Sequence, residues 1–192
     1  MRIFLIRHGE AEVKEKDSIL TSKGIKQAKN IAKFLENTNL DLVFCSQLTR
    51  AKQTLEEYKK VNQKIKTEFT DELNEIYRVI VGGLPKEGTP IDREEKDKKR
   101  TDNFFNSLLK LDYNNIAIFG HGNLIRYYLS KVLKINPKEL WQKMIITSGS
   151  ISIIEIGKNK ELQVKAINLY EHQKEFIDEF LNGEIKNENY LP

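Results

Sequence analysis

Apolar positions along this chain follow two alternating periods. Short runs of isoleucine, leucine, valine and phenylalanine, typical of buried strands, are separated by longer segments whose apolar residues recur with helical spacing. The apolar runs predict strands over residues 2–6, 40–45, 64–69, 115–119, 150–156 and 162–167. Strands that alternate with helices are typical of an α/β fold, so we predict a three-layer α/β/α sandwich around a mainly parallel central sheet.

The segments with helical spacing begin at recognisable capping residues. Thr21 and Ser46 each precede such a segment, and both hydroxyl residues are predicted to be helix N-caps. The apolar face of the first helix is expected to consist of Ile25, Ala28, Ile31, Ala32 and Leu35. Further helices are predicted over residues 48–58, 92–111 and 124–133, in a short segment that opens at Pro137, and in a C-terminal amphipathic segment that ends near Gly183.

One stretch follows neither period. Residues 71–90 are interrupted by glycine or proline at positions 82, 83, 85, 88 and 90. We interpret residues 71–99 as a lid-like excursion over the edge of the sheet. With 192 residues the chain is long enough to bury a sizeable core, and we predict a single domain over residues 1–192.

Composition narrows the function classes. The net charge of +4 comes from 32 basic and 28 acidic residues without a long basic stripe, so no nucleic-acid partner is expected. The single cysteine, Cys45, lies in an apolar run and is expected to be a buried thiol. Because the apolar runs are too short to span a bilayer, we expect no membrane partner and a cytoplasmic location. The oligomeric state is open, with a homodimer among the alternatives.

Two of the three histidines occur in the same setting. His8 and His121 each end an apolar run and are each followed by glycine, as in IFLIRHGE and IAIFGHGN. Because ligands of open α/β sheets bind past the carboxyl ends of the strands, the two imidazoles are expected to meet there. Arg7 adds a permanent cation beside the first, and Gly122 after the second lets a ligand approach the backbone closely.

These residue types suit attack on a phosphomonoester. A neutral imidazole is a nucleophile at physiological pH, but the substrate carries about −1.5 to −2 charges and must be held by fixed cations. Arg7 is one candidate cation, and Arg50, in the first turn of the second helix, is another. The leaving oxygen needs a proton, and Glu75, shortly after the third strand, is the candidate donor.

Each candidate has a simpler explanation when taken alone. Arg50 could be a solvated helix residue, Glu75 a surface carboxylate beside Asp71, and His121 a histidine with its hydrogen bonds satisfied at a turn. The functional interpretation gains strength because every candidate follows the carboxyl end of a strand, where an open α/β sheet binds its ligand.

Five motifs, taken in order, resemble those of the histidine phosphatase superfamily, the phosphoglycerate-mutase-like proteins. They are RHGE, DSILTSKGIKQA, CSQLTRAKQT, LNE and GHGN, between residues 7 and 123. The resemblance implies that His8 forms a phosphohistidine, that Arg7, Arg50 and His121 clamp the phosphoryl oxygens, and that Glu75 donates the proton. It also implies that Asn123 binds phosphate or substrate, and that no metal or other cofactor takes part.

The resemblance favours the phosphatases of this family over the mutases. Mutases usually have serine or threonine and then asparagine in the loop after RHGE, where this chain has Ala11 and Lys14, and LNE is followed here by IYRVIVGG. Lys14 is kept as a candidate substrate-binding residue. The segments GTPID and HGNLIRYYLSKVLKINPKELW are similar to a branch that contains a protein serine/threonine phosphatase.

The sequence therefore predicts a metal-independent phosphomonoester hydrolase, an acid-type histidine phosphatase. Its phosphorylated substrate is expected to be either a small phosphometabolite or a phosphoprotein. Two alternatives remain open: a cofactor-dependent phosphoglycerate mutase, and an inactive scaffold that binds phosphorylated groups.

Overall fold

The two apolar runs that precede the histidines form the central pair of a six-stranded sheet. β1 (Arg2–Arg7) pairs in parallel with β6 (Asn115–Gly120), in a register that sets Arg7 opposite Gly120. All four inner positions of β1 are buried, as expected for a strand covered on both faces. His8 and His121 consequently leave the sheet side by side.

The other strands extend the sheet in both directions. On one side lie β2 (Leu42–Ser46) and β3 (Thr67–Thr70), both parallel to the central pair. On the other side β7 (Ile151–Ile156) and β8 (Leu162–Leu169) run antiparallel. The strand order is β3-β2-β6-β1-β7-β8, so the sheet is mixed with four parallel strands, and the prediction of a mainly parallel sheet is confirmed.

This computed structural model describes residues 1–12, 17–78, 80–81, 84–85 and 92–170. Lys14, His172 and the predicted C-terminal helix lie outside the described residues, as do parts of the predicted lid. Both the lid and the single domain over residues 1–192 stay predictions.

Five helices cover the two faces of the sheet within the described residues. They are α1 (Ser22–Leu35), α2 (Thr49–Val61), α3 (Arg93–Leu108), α4 (Gly122–Leu133) and α5 (Pro137–Lys143). One apolar core joins α1 and α2 to one face, and a second core joins α3, α4 and α5 to the other. The predicted three-layer sandwich is therefore confirmed.

The capping prediction is confirmed for α1 and wrong for α2. The Thr21 hydroxyl accepts a hydrogen bond from the backbone N–H of Gly24 at 3.0 Å, so Thr21 caps α1 as predicted. Ser46 is not the cap of α2: it is the last residue of β2, and the helix begins three residues later, after Leu48. The Asp17 carboxylate instead accepts from the N–H of Thr49 at 3.0 Å and supplies the negative charge that a helix N-terminus favours.

The apolar face of α1 also differs from the prediction at one position. Ile25 is 42% exposed, whereas Gly24 and Phe34 are buried with the remaining members of the face. Gly24 is buried because the backbone of Glu10 passes directly over it, and Ile25, the next residue along the helix, lies outside the buried face.

The irregular stretch contains structure that the sequence pattern does not indicate. A short 3-10 helix, Asp71–Leu73, follows β3. β4 (Ile80–Val81) and β5 (Leu84–Pro85) then pair as a separate two-stranded antiparallel sheet. Strands of two residues are too short to show the alternation from which strands are predicted. None of the helices in the described ranges combines the length and apolar character that a membrane crossing requires.

We predict that Gly24→Ala destabilises the fold. A Cβ at this position would overlap the backbone carbonyl of Glu10, and neither segment has a flexible side-chain end that could move away. The free energy of unfolding, measured by urea titration, is expected to fall by about 2 kcal/mol or more despite the better helix propensity of alanine.

Gly157→Ala is the matched control, because its Cβ would meet only the side chain of the exposed Glu161. It is expected to change stability by less than about 0.5 kcal/mol. Equal effects of the two substitutions would contradict the packing argument.

Candidate active site

His8 lies at the end of β1 and is only 8% exposed. Its Nδ1 is 2.7 Å from the carbonyl oxygen of Gly9, and its Nε2 is 3.0 Å from Nε of Arg50. A carbonyl can only accept and a guanidinium can only donate, so Nδ1 carries the proton and Nε2 the lone pair. The backbone and one arginine thus select the neutral tautomer of His8.

The surroundings of His8 also keep it neutral. Burial lowers the pKa of its imidazole to about 3, opposed by the Gly9 hydrogen bond and assisted by the charges of Arg50 and Arg7. At physiological pH the ring therefore presents an unprotonated Nε2 without the help of a general base.

Two arginines place fixed positive charge beside this nitrogen. Arg7, the last residue of β1, donates from Nη1 to the carbonyl of Ile146, while its buried Nε has no hydrogen-bond partner among the described residues. Arg50 lies in the first turn of α2. Burial lowers the pKa of each guanidinium, but arginine titrates so far above neutrality that both remain cations.

The position of Arg50 is fixed by its own helix. The Thr54 hydroxyl donates to the Arg50 carbonyl at 2.7 Å and accepts from the N–H of Gly9 at 3.1 Å. Thr54 is fully buried, and it ties the first turn of α2 to the backbone that follows His8. One hydroxyl therefore joins the backbone of Arg50 to the backbone next to His8.

His121 is the second imidazole of the site. It follows β6, is completely buried, and its ring centroid lies 5.2 Å from that of His8 in an edge-to-face arrangement. Burial lowers the pKa of His121, and the nearby Arg50, His8 and Arg7 lower it further. The convergence expected from the two His-Gly runs is therefore present in the structure.

Glu75 lies at the N-terminus of α4. Its carboxylate accepts hydrogen bonds from the backbone N–H groups of Asn123 and Leu124, both at 3.1 Å. Burial raises the pKa of the carboxyl group, although these two hydrogen bonds and the charges of Arg50 and Arg7 oppose the rise. A carboxyl group with a raised pKa is suited to donate a proton.

Asn123 and Gly122 open the same helix. The Asn123 amide donates to the Ile76 carbonyl at 3.1 Å and accepts from Nη1 of Arg126 at 2.9 Å. Both ends of this side chain therefore have protein partners, and its predicted contact with phosphate or substrate stays a prediction. A Cβ on Gly122 would lie 3.3 Å from Nε of Arg7, so the glycine leaves room for the guanidinium.

Sequence reasoning missed three residues of this cluster. Ser46 bonds to His121 at 2.8 Å, Asn74 bonds to Ser46 at 2.7 Å, and Arg126 bonds to Asn123. The signal for Asn74 was its place in the LNE motif directly before Glu75, and Ser46 ends a strand beside Arg50. No group of three or more histidine, cysteine or acidic residues that could hold a metal ion occurs within the described ranges.

The site thus combines a buried histidine pair with two arginines at the carboxyl edge of the parallel strands. The family model of the histidine phosphatase superfamily, branch 1, matches residues 3–98 and 93–169. The chain belongs to this superfamily.

Individual relatives are phosphatases of different kinds. The mitochondrial serine/threonine-protein phosphatase PGAM5 of Xenopus tropicalis is 28% identical over 189 residues, which cover 86% of this chain and 63% of that protein. The adenosylcobalamin/alpha-ribazole phosphatase of Escherichia coli is 34% identical over 84 residues, 40% of this chain and 41% of that protein. The chain thus spans less than two thirds of these curated relatives.

Solved structures agree on the fold. The alpha-ribazole phosphatase from Shigella flexneri superposes with a TM-score of 0.72 at 22% identity, covering 88% of this chain and 96% of that chain.

We predict that Gly122→Ala weakens the site without weakening the fold. The new Cβ would displace the Arg7 guanidinium by a few tenths of an ångström, while alanine suits the first turn of a helix better than glycine. The inhibition constant of vanadate for hydrolysis of p-nitrophenyl phosphate is expected to rise about threefold to tenfold, since a small displacement of a charged group weakens binding of an oxyanion. Urea unfolding should show stability equal to or above that of the wild type. An unchanged inhibition constant would contradict a contact between the Arg7 guanidinium and the bound oxyanion.

Proposed function

We propose that this protein is a phosphomonoester hydrolase that works through a phosphohistidine on His8. The observation that carries the proposal is the unprotonated Nε2 of His8, which is buried, accepts from Arg50 at 3.0 Å and is fixed in its tautomer by the Gly9 carbonyl. A neutral nucleophile held beside permanent cations matches the needs of a dianionic phosphoryl group.

The reaction has two steps. First, the lone pair of His8 Nε2 attacks phosphorus, the bond from phosphorus to the ester oxygen breaks, and Glu75 gives its proton to the departing oxygen. Second, the Glu75 carboxylate takes a proton from a water molecule as the water oxygen attacks phosphorus, and the P–N bond breaks. The products are an alcohol and inorganic phosphate, and both side chains return to their starting protonation states.

The negative charge on the phosphoryl group is the main obstacle to attack by His8, and the surrounding residues offset that charge. Arg7 and Arg50 supply two cations, and the groups that hold them are already in place in the folded protein: the Ile146 carbonyl accepts from Arg7, and the Thr54 hydroxyl donates to the Arg50 carbonyl. Such preorganised donors in a site that excludes water stabilise a transition state without reorganising during the reaction. His121 adds a third group, with its ring centroid 5.2 Å from that of His8.

The same groups support an acid-type enzyme. His8 is neutral at every pH above about 3, so the nucleophile is available in acid. Glu75 is the required acid only while protonated, and burial extends that form to a pH above the ordinary range of glutamate. Activity is therefore present below the raised pKa of Glu75 and declines as the pH rises through it.

For the substrate, the proposal names two classes and not a single compound. The match to the PGAM5 protein phosphatase extends over most of this chain, whereas the match to the alpha-ribazole phosphatase covers 40% of it. These relatives support a phosphoprotein or a small phosphorylated molecule as substrate. A panel of phosphopeptides, phosphosugars and nucleotides distinguishes the two. Incubation with 3-phosphoglycerate and a bisphosphoglycerate primer separates hydrolysis from mutase transfer.

Replacing the nucleophile tests the proposal directly. We expect His8→Ala to reduce release of phosphate from p-nitrophenyl phosphate by at least about 10⁴-fold, because the covalent route is lost. Wild-type protein quenched during turnover at alkaline pH should gain the mass of one phosphoryl group, and the variant should not.

Two further results bear on the same proposal. EDTA should leave the wild-type rate unchanged, since no step uses a metal ion, and vanadate should inhibit. Near wild-type turnover by the alanine variant, or loss of activity in EDTA that Mg²⁺ restores, would show that the mechanism is wrong.

The proton donor gives a separate prediction. Glu75→Gln should slow an alkyl phosphate far more than p-nitrophenyl phosphate, because the nitrophenolate leaves readily without a proton. The expected losses are about 10³-fold and about tenfold respectively, within the range of general acid catalysis. The decline of kcat with rising pH, measured at saturating substrate, should disappear in the variant.

Glu72→Gln is the matched control, since this neighbouring carboxylate bonds only to the Thr70 segment within the described residues. Its pH profile should match that of the wild type. Equal losses on both substrates in Glu75→Gln would count against a role in protonating the leaving group.

A further inference from the structure

The donor and acceptor roles around His121 can be assigned from one end of a hydrogen-bond chain. The side-chain oxygen of Asn74 accepts from the backbone N–H of Gln47 at 3.1 Å, while its NH2 donates to the Asp71 carboxylate at 2.8 Å. A backbone N–H can only donate and a carboxylate can only accept. The orientation of the Asn74 amide is therefore fixed from both sides.

The next member of the chain follows from that orientation. Ser46 Oγ lies 2.7 Å from the Asn74 oxygen, so the serine hydroxyl must donate to it. The same Oγ accepts from the N–H of Leu48 at 3.2 Å. Since its one proton is already committed, the contact from Ser46 Oγ to Nε2 of His121 at 2.8 Å requires Nε2 to be the donor.

His121 is consequently the opposite tautomer to His8. Its proton lies on Nε2, and its Nδ1 carries a bare lone pair that is buried without a hydrogen-bond partner among the described residues. Two buried polar atoms at the site are thus unmatched, this acceptor and the donor Nε of Arg7. An oxyanion satisfies Arg7 directly, but it repels a bare nitrogen lone pair unless a proton lies between them.

We propose that Ser46 and Asn74 are positioning residues that hold His121 with Nδ1 unprotonated, so that one proton enters at Nδ1 together with the phosphoryl group. The phosphoryl group is then held by an Nδ1–H donor that forms only when the anion is present. This inference rests on the proposed function, because it concerns how the same site binds its phosphate.

The charged groups that face His121 determine whether binding of the anion favours or opposes its protonation. Arg7 from β1, Arg50 from α2 and Arg100 from α3 all disfavour a charged imidazole in the free protein, as does the adjacent His8. Glu75, which follows the 3-10 helix, is the carboxyl group of the site. An arriving phosphate dianion offsets the arginine charges, so protonation of His121 and binding of the anion favour each other.

Imidazole ¹⁵N NMR on the full-length protein tests the tautomer directly. In phosphate-free buffer at pH 8, His121 should show a protonated Nε2 and an unprotonated Nδ1, and His8 the reverse. Added inorganic phosphate should protonate Nδ1 of His121. A wild-type protein with its His121 proton on Nδ1, or a phosphate complex in which that nitrogen stays bare, would overturn the proposal.

Two pairs of variants test the positioning role. Ser46→Ala and Asn74→Leu remove the restraint, and a mixture of His121 tautomers is expected in both. The double variant Asn74→Asp/Asp71→Asn keeps acceptor oxygens for Ser46 and Gln47 and exchanges the donor and acceptor of the 2.8 Å contact between residues 74 and 71, so it should retain the wild-type tautomer. Ser130→Ala removes another buried hydroxyl, one that bonds within α4 to Tyr127, and is the control for loss of a buried group.

The affinity for inorganic phosphate is the second measurement. Because the wild-type complex holds one more proton than its free components, Kd should rise about tenfold per pH unit between pH 8 and pH 9. In Ser46→Ala the dependence of Kd on pH should flatten, since the tautomer of His121 with its proton on Nδ1 then binds the dianion without taking up a proton. Equal slopes in Ser46→Ala and Ser130→Ala would contradict the proposal.

Turnover of p-nitrophenyl phosphate is measured on the same samples. A wild-type protein with the expected tautomer but no turnover would contradict the phosphatase function and leave the tautomer assignment standing. Turnover with the opposite tautomer would contradict only the inference about Ser46 and Asn74.

Discussion

The parallel register of β1 on β6 is the constraint on which the rest of this structure depends. It sets Arg7 opposite Gly120 and is continued by a hydrogen bond of 3.1 Å from the N–H of His8 to the Gly120 carbonyl. Both chains therefore leave the sheet at the same level, and the two imidazoles come to lie 5.2 Å apart. A slip by one residue would move Ile3 and Leu5 out of one core and Phe4 and Ile6 out of the other, so the packing of both cores keeps the site aligned.

Burial and charge act together once the histidines are placed. Burying the charges of Arg7 and Arg126 would cost free energy if their N–H groups had no acceptors. The loop between α5 and β7 supplies some of these acceptors. Three successive carbonyls there accept from side chains: Met144 from Arg126, Ile145 from Asn168 and Ile146 from Arg7. The loop that precedes the antiparallel half of the sheet thus acts on the site by orienting Arg7 directly, and by orienting Arg126, which bonds to Asn123.

The two histidines differ because their hydrogen-bond partners differ. A carbonyl holds the proton of His8 on Nδ1, whereas a serine whose own proton is committed holds the proton of His121 on Nε2. Identical side chains in identical local motifs therefore present different nitrogens and suit different tasks. The superfamily model spans the residues of both histidine motifs.

Local sequence by itself determined the six strands of the main sheet, the approximate extent of the helices and the Thr21 cap, and it placed His8 and His121 each directly after a strand. Strand and helix periods, and the turn that glycine permits after a strand, depend on neighbouring residues alone. Tertiary structure decided the rest. Ser46 bonds to a histidine 75 positions away instead of capping α2, Asp17 takes the capping place, and the backbone of Glu10 covers Gly24 while Ile25 is exposed. The tautomers of the two histidines belong to this second group, because a proton is assigned by the partner across the fold and no local pattern records which partner that is.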